Sequence, residues 1–217
     1  MVSTGVLSLD GLGWLKYDTR HMRARKAISK KEQTRERILR AAAGAIRKHG
    51  YGGVGVAEVM KDAGLTHGGF YAHFDSREAL LAAAAEQAGR ESDESLSRTL
   101  AKARPGDELT ALVDAYLDDR HVTAAEQGLG CAIAAAGSEV PRQCAAVRRA
   151  VSRRIKDLIG LVERQFSDWG KPAAHDKAMS VVAAMVGALM LARAVDDPQL
   201  SRAIRKSARE LIRGAAG

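Results

Sequence analysis

The sequence has few of the residues on which specialised protein classes depend. Two cysteines, Cys131 and Cys144, and four prolines occur in its 217 residues. Two cysteines cannot build a disulfide framework or a four-cysteine zinc site, and so few prolines exclude an extended proline-rich chain. The chain must therefore fold around an ordinary hydrophobic core, for which its length and its 46% hydrophobic content suffice.

Aromatic residues are also scarce, at 4% of the sequence, and their scarcity argues against β-structure. Aromatic and β-branched residues favour strands, whereas alanine, which is abundant here, is the strongest helix former. Apolar residues recur at three- and four-residue spacing over most of the chain between 38 and 212, and no segment shows the alternation of a strand. The sequence therefore predicts an all-α fold of about nine helices.

No apolar run is long enough for a membrane span. The longest, 181–192, has 12 residues and contains Gly187, whereas a span needs about 20. The first 20 residues carry Asp10 within a weak apolar stretch and make a poor signal peptide. Because two thiols also fit a reducing compartment, we expect a soluble, cytoplasmic protein. The sequence leaves open whether the chain starts at Met1 or at Met22.

The positive charge is concentrated near the N-terminus. The net charge is +8, and residues 20–48 hold 11 of the 34 lysines and arginines but only two acids, Glu32 and Glu36. A basic segment on a nearly neutral body indicates a polyanionic partner, either a nucleic acid or an anionic membrane surface. The same run of charge also suits the solvated face of a helix.

The segment 57–81, AEVMKDAGLTHGGFYAHFDSREALL, carries the most specific signal. Two short predicted helices flank a tight turn at Gly64, which is the arrangement of a helix-turn-helix. The second helix starts after Thr66, a good N-cap, with small and polar residues that would let its backbone approach DNA. Phe70 and Phe74 can anchor its opposite face in a small core.

Together with the basic helix before it, this segment resembles the DNA-binding domain of the tetracycline-repressor (TetR) family over residues 31–85. The most specific part is the run FYAHFDSR at 70–77, directly after a Gly-Leu-Thr turn. The resemblance implies an all-helical dimer with an N-terminal helix-turn-helix domain and a variable C-terminal domain for ligand binding and dimerisation. The sequence departs from the family where a threonine or serine pair usually opens the second helix, because Val54 and Gly55 stand there.

The resemblance also implies which residues meet DNA. The implied base-reading positions are His67, Gly69 and Ala72. The residues implied to contact phosphate are Tyr71, His73 and Arg77. Because each glycine weakens a helix by about 1 kcal/mol relative to alanine, we expect the Gly68-Gly69 pair to leave this helix loose until it docks. The full set of predicted DNA-binding residues is Gly55, Val56, Thr66, His67, Gly68, Gly69, Tyr71, Ala72, His73 and Arg77.

The C-terminal half is interpreted from its apolar pattern. Residues 181–192 are apolar nearly all round, which predicts either burial inside one chain or packing against a second chain. We expect a homodimer through the last two predicted helices, which begin near 174 and 198. The predicted domains are a flexible N-terminal arm over 1–28, a helix-turn-helix domain over 29–76 and a ligand-binding and dimerisation domain over 77–217.

Other C-terminal residues leave two interpretations open. Four side chains either line an effector pocket or belong to an ordinary core: Tyr116, Phe166, Trp169 and Met179. Cys131 and Cys144 either sense redox state or are small buried side chains. No cofactor or metal site is predicted, because the spacing of the histidines and acids matches no ligand signature.

These observations predict a sequence-specific transcriptional regulator, a repressor that a small-molecule effector releases from a palindromic operator. Its partners would be double-stranded DNA, the effector and a second copy of the chain. Other hypotheses stay open: an activator, a repressor without ligand, or a helical small-molecule-binding protein or enzyme that kept the fold without regulating DNA. The regulator hypothesis predicts no enzymatic activity, and the sequence contains no nucleophile motif or phosphate-binding glycine loop.

Overall fold

The computed structural model describes residues 29–216, and every regular element among them is helical, which confirms the predicted all-α fold. The arm predicted over 1–28 lies outside the described residues. The α-helices of the described part are α1 (Lys30–His49), α2 (Val56–Asp62), α3 (Arg77–Leu100), α4 (Glu108–Tyr116), α5 (Asp119–Thr123), α6 (Ala132–Ala136), α7 (Ala145–Glu163), α8 (Pro172–Ala194) and α9 (Pro198–Ala216). Shorter 3-10 helices span His67–Ala72, Ala124–Gln127 and Gly137–Arg142.

Local signals in the sequence set both ends of α1. Ser29 and Glu32 form a capping box, in which each side chain accepts a hydrogen bond from the other residue's backbone N–H. At the other end Gly50 has a φ of 70°, a left-handed conformation that favours glycine. A Cβ atom at Gly50 would also lie 1.8 Å from Oε1 of Glu139. Glu139, whose carboxylate accepts the Gly52 N–H at 3.0 Å, therefore fits this turn only because residue 50 has no side chain.

Apolar residues from Val147 to Trp169 recur at helical spacing, which predicts one long helix up to Gly170, but the observed helix ends earlier. Helix α7 stops at Glu163, and turns with i→i+3 hydrogen bonds follow, from Phe166 to Glu163 and from Trp169 to Phe166, each at 3.1 Å. These turns bring Phe166 into the core, where it is 7% exposed, and leave Trp169 61% exposed. The apolar spacing in this region fits a helix and such turns equally well, so periodicity overestimated the length of the helix.

The described residues form two hydrophobic cores along α3 and α7. The first combines α1, α2 and the 3-10 helix His67–Ala72 with the first halves of α3 and α7. It contains Phe70 and Phe74, whose rings stack with centroids 5.9 Å apart, together with Val147 of α7. The second core joins the ends of α3 and α7 to α4, α8 and α9. The N-terminal helices are thus packed directly onto the rest of the chain.

One buried arginine ties α1 to the C-terminal helices. Arg47, in the last turn of α1, is 4% exposed. Its guanidinium donates to the carbonyl oxygens of Gly128 and Gly130 at 3.2 and 2.8 Å. On α3 it donates to the carbonyl of Ala88 at 3.0 Å and to Oε2 of Glu91 at 2.8 Å. A buried charge is stable only with its full set of acceptors, so α1, α3 and the loop with the two glycines hold one relative position.

Among the described residues, α8 is the one helix that is long and apolar enough to cross a membrane, judged by length and composition alone. A core helix of a soluble protein passes the same test. Helix α8 contributes Val181, Met185 and Leu189 to the second core, where each is almost completely buried. These contacts account for one side of its apolar surface.

Replacing Arg47 with alanine should lower the free energy of unfolding by about 3 kcal/mol, because Glu91 and three carbonyl groups lose their donor. Urea unfolding followed by far-UV circular dichroism measures the change. Arg40→Ala is the matched control, since Arg40 pairs with Glu36 on the exposed surface of the same helix and should contribute less than about 0.5 kcal/mol. Equal losses in the two variants would contradict the structural role of Arg47.

Candidate nucleic-acid interface and ligand cleft

The turn after α2 is closed by backbone geometry that requires glycine. Gly64 has a φ of 68°, and its N–H donates to the Lys61 carbonyl at 2.9 Å. The Leu65 N–H donates to the Met60 carbonyl at 2.9 Å, which completes a Schellman motif. This turn sets α2 and the following 3-10 helix, His67–Ala72, as a helix-turn-helix. We call that 3-10 helix the recognition segment.

Helix α2 begins without a side-chain cap. Gly55 occupies the N-cap position with an extended backbone, and no side chain accepts a hydrogen bond there. The sequence anticipated this loss from Val54 and Gly55. Because the first N–H groups of a helix lack internal partners and attract phosphate, Gly55 and Val56 remain predicted phosphate contacts through their backbone.

The predicted second helix of the motif forms as a 3-10 helix. Thr66 takes its N-cap position, but the threonine side chain makes no capping hydrogen bond. Two consecutive glycines also disfavour a regular α-helix here. Phe70 and Phe74 are buried, at 2% and 4% exposure, and hold the segment against the first core as the sequence predicted. The segment is therefore held by its aromatic anchors together with 3-10 backbone hydrogen bonds, such as that from Gly69 to Thr66, and not by a regular α-helix.

The opposite face of the recognition segment is open to solvent. His67, Gly68 and Ala72 are exposed, and Tyr71 is 71% exposed. Gly69 is half-buried, because its α-carbon faces α2 and a Cβ there would lie 3.7 Å from the terminal methyl of Met60. The exposed residues form one small surface on which Gly68 and Ala72 lie between the polar rings of His67 and Tyr71, which suits a close approach to base edges.

The residues predicted to contact phosphate differ in their freedom to do so. The Tyr71 ring packs edge-on against Phe70 with centroids 5.2 Å apart, and its exposed side chain is available to a partner. The Nδ1 atom of His73 is buried and has no hydrogen-bond partner within the described part of the chain, so a phosphate contact would use Nε2. Arg77 donates to the carbonyls of Tyr51 and Val54 at 2.7 and 3.1 Å. The structure thus gives Arg77 a clamping role that the sequence did not predict.

Two exposed cations of α1 lie directly at the helix-turn-helix. The guanidinium carbon of Arg35 is 4.9 Å from the centroid of the Phe74 ring. Nη1 of Arg37 lies 4.0 Å from the position that a Cβ of Gly64 would occupy. Basic residues of α1 therefore border the motif, and their positive potential extends the surface that a phosphate backbone would meet.

Helices α8 and α9 each present an outward apolar stripe. On α8 the exposed side chains Met179, Ala183 and Met190 recur at helical spacing. On α9 Leu200 and Leu211 are 47% and 67% exposed, with the exposed Ala203 and Ser207 between them. Contiguous exposed apolar surface is typical of an interaction surface. That these two helices meet a second chain stays a prediction.

A cleft of about 830 Å³ lies beside α3, α4 and the segment 118–131. Tyr116, which also belongs to the second core, borders it, and Arg47 and Glu91 form part of its wall. The other three predicted pocket residues lie elsewhere. Phe166 is in the second core, while Trp169 and Met179 are 61% and 41% exposed on the surface. Apolar spacing could not show that the turns after α7 and the outer face of α8 carry these side chains away from the cleft.

His121, to which the sequence assigned no role, organises one side of this cleft. Its Nδ1 lies 2.6 Å from the Tyr116 carbonyl, and its Nε2 accepts the Cys131 N–H at 3.0 Å. The ring is therefore neutral, with its proton on Nδ1. Burial is the main cause that lowers the pKa of His121. Among the described residues, no three His, Cys, Asp or Glu side chains come together as a metal site would require.

Comparison with known proteins supports this architecture. The model of bacterial regulatory proteins of the tetR family matches residues 38–84. The model of the LmrA/YxaF-like transcriptional regulator C-terminal domain matches residues 105–207. The HTH-type transcriptional regulator BetI of Stenotrophomonas maltophilia (strain R551-3) is 32% identical over 123 residues, which are 56% of this chain and 62% of BetI. The match thus spans less than two thirds of that curated relative.

Solved structures share the fold over most of the chain. A TetR-family transcriptional regulator from Cytophaga hutchinsonii superposes with a TM-score of 0.70 at 21% identity, covering 87% of this chain and 98% of its own. A TetR transcriptional regulator from Chloroflexus aurantiacus J-10-FL has a TM-score of 0.64 at 27% identity, with 84% and 96% coverage.

Replacing Gly68 with alanine should separate a role in the fold from a role toward DNA. A Cβ at this position meets no atom within 4 Å, and the φ of Gly68 lies outside the left-handed range. The variant should therefore be as stable as the natural chain or gain up to about 1 kcal/mol. If the segment's backbone lies against base edges, the added methyl group should weaken binding to its DNA site by at least about tenfold.

Thermal unfolding and a gel-shift titration measure the two effects of Gly68→Ala. Gly160→Ala on α7 is the matched control, because a Cβ there would lie 3.4 Å from the flexible end of Arg164 and far along the chain from the motif. The control should keep its DNA affinity. A Gly68→Ala variant that binds DNA normally would contradict the close approach of this backbone.

Proposed function

Because the chain belongs to the TetR family of bacterial regulatory proteins, we propose that it is a sequence-specific DNA-binding transcriptional regulator. It represses transcription until a small-molecule effector releases it from a palindromic operator. The observation that carries this proposal is the recognition segment, whose small and polar face is exposed while Phe70 and Phe74 anchor it from behind. The domain division follows the same proposal, with DNA contacts in 29–76 and effector and dimer contacts in 77–217.

The recognition segment enters the major groove, which is about 12 Å wide. His67 and Ala72 face base edges, with Gly69 close behind them. Tyr71 and His73 donate to phosphate oxygens at the edge of the groove. Support for this orientation comes from the exposure of His67, Tyr71 and Ala72. Arg77 contributes mainly by holding the turn at Tyr51–Val54, since two of its donors are already used there.

A second copy of the chain is needed to read a palindrome. The outward stripes of α8 and α9, which include Met190 and Leu211, bury their apolar surface against the second copy in a two-fold interface. Two recognition segments are then held about 34–36 Å apart, one turn of DNA or a multiple of it. Exposed small residues in the stripes, such as Ala183 and Ala203, allow the four helices to approach closely.

The cleft beside α4 is the effector site. Its wall includes Arg47 and Glu91, so the space that holds a ligand touches the same ion pair that fixes α1 against α3. A ligand that binds better when this pair is rearranged shifts the chain to a second conformation and changes the position of the recognition segment. The chain acts beside the chromosome in the cytoplasm, as a regulator and not as an enzyme.

The purified chain should shift DNA from the region upstream of its own gene. A footprint should show two protected half-sites, related by a dyad and centred about one helical turn apart, because each protomer offers one recognition segment. A footprint over the promoter indicates a repressor, whereas one upstream of the promoter indicates an activator. The proposal fails if no double-stranded fragment from this region competes better than unrelated DNA of equal length.

Leu211→Arg should convert the dimer to a monomer, because the arginine places a charge in the proposed apolar interface. Affinity for the palindrome should fall by at least about a hundredfold, since one half-site no longer supports the other. Analytical ultracentrifugation and gel shifts measure the two effects. Leu129→Arg is the control: Leu129 is 56% exposed but lies outside α8 and α9, so this variant should remain dimeric. A dimeric Leu211→Arg chain would contradict the assigned interface.

A further inference from the structure

We propose that the segment 121–131 is an acid-sensitive switch, which opens when His121 takes up a second proton and then loosens its contact with α1. The proposal assigns a regulatory role to a residue that neither the DNA contacts nor the effector site requires. It rests on the proposed function only for its effect on DNA, because opening of the segment can be measured on the chain alone.

The two ring nitrogens of His121 have fixed and opposite hydrogen-bonding roles. Nδ1 lies 2.6 Å from the carbonyl oxygen of Tyr116, which can only accept, so Nδ1 carries the proton. Nε2 lies 3.0 Å from the backbone nitrogen of Cys131, which can only donate, so Nε2 carries none. A second proton would place two donors face to face at Nε2 and leave the Cys131 N–H without its acceptor. The ring therefore fits this position only in its neutral form.

The ring of His121 has little room to turn away from such a conflict. It meets the Tyr116 ring edge-on, with centroids 4.7 Å apart and an interplanar angle of 89°. On the side of Nε2, a Cβ at Gly130 would lie 2.8 Å from Cδ2 of the ring and 2.9 Å from Nε2 itself. The glycine backbone thus lies directly against the ring. A protonated ring is accommodated by a movement of the segment itself, at Gly130 and Cys131.

The surroundings of His121 also oppose a second positive charge. Burial is the main cause that lowers the pKa of His121, and the charges of Arg193 and Arg47 lower it further. The Tyr116 carbonyl and Asp118 raise the pKa of the ring, but the net direction is downward. The charged and titratable groups around the ring and its segment are Arg47 of α1, Glu91 of α3, Tyr116 of α4, Asp118 and Arg120 at the start of α5, Cys131 before α6 and Arg193 of α8.

A movement of Gly130 would reach α1 through Arg47. The Gly130 carbonyl accepts a hydrogen bond from Nε of Arg47 at 2.8 Å, and Arg47 is 4% exposed. A buried charge that loses an acceptor is destabilised, so the end of α1 is held less firmly once Gly130 has shifted. Because α1 shares the first core with Phe70 and Phe74 of the DNA-binding motif, a chain with an open segment should bind DNA more weakly than one with a closed segment.

Hydrogen exchange of the full chain at about pH 7.5 and about pH 5.5, corrected for the intrinsic rate at each pH, tests the switch. The folded chain lowers the pKa of His121 below its ordinary value of 6.5, so the closed segment is fully stable above that pH and loses stability as the pH falls below it. We expect peptides from 121–131 to lose protection at least about threefold at the lower pH. His121→Gln keeps an acceptor near the place of Nε2 but takes up no proton, so its protection should stay constant.

His175→Gln is the matched control, because His175 pairs with Glu163 near the start of α8, whereas the segment contacts Arg193 near the end of that helix. This variant should open in acid as the natural chain does.

Two-dimensional NMR of the ring nitrogens shows the tautomer of His121 in the natural chain, independently of any variant. A proton on Nε2 at about pH 7.5 would overturn the inference. Constant protection of 121–131 in the natural chain, or an equal loss of protection in His121→Gln, would overturn it as well. If the segment opens in acid but the natural chain then loses no more DNA affinity than His121→Gln, the switch stands and its proposed effect on DNA fails.

Discussion

The guanidinium of Arg47 constrains how the two parts of this chain can move. It is buried in the last turn of the helix that supports the DNA-binding motif, yet all its acceptors belong to α3 or to the loop that carries Gly128 and Gly130. A displaced acceptor would leave a charge buried and unpaired, which costs several kcal/mol. When the loop or Glu91 moves slightly, α1 therefore moves with it. Larger movements of the loop or of Glu91 require a second, distinct arrangement of the same contacts.

Glycine residues make this arrangement possible where Arg47 meets the loop. A Cβ at Gly128 would lie 3.1 Å from the α-carbon of Gly44 in α1, so the two backbones touch directly. A Cβ at Gly130 would lie 2.8 Å from the ring of His121. Both loop glycines also have positive φ, at 72° and 84°, which disfavours other residues. The Gly-Leu-Gly run 128–130 thus lets the backbone of this loop lie close against α1 on one side and the wall of the cleft on the other.

The sequence predicted what depends on neighbouring residues and missed what depends on distant ones. The turn at Gly64 and the aromatic anchors of the recognition segment are local signals, and the structure contains both of them. The partners of Arg47 lie more than 40 residues away along the chain, and the clamp between Arg77 and the 51–54 turn spans over 20. Periodicity identifies an apolar side chain but not the surface that it meets, which is why the sequence left Trp169 open between an effector pocket and the core, whereas its side chain is 61% exposed.

Helix α8 connects the proposed dimer interface to the same loop from the other side. Arg193, in its last turn, donates to the carbonyls of His121 and Val122 at 2.6 and 3.2 Å. The segment 121–130 is therefore held by an arginine at each end. Arg193 of α8 binds its first residues, and Arg47 of α1 binds Gly128 and Gly130. If α8 is fixed against a second protomer, a ligand that shifts this segment moves α1 relative to the dimer axis. In the proposed dimer the spacing of the two recognition segments would change by that movement, and DNA affinity would change with it because the half-sites of the operator stay at a fixed distance.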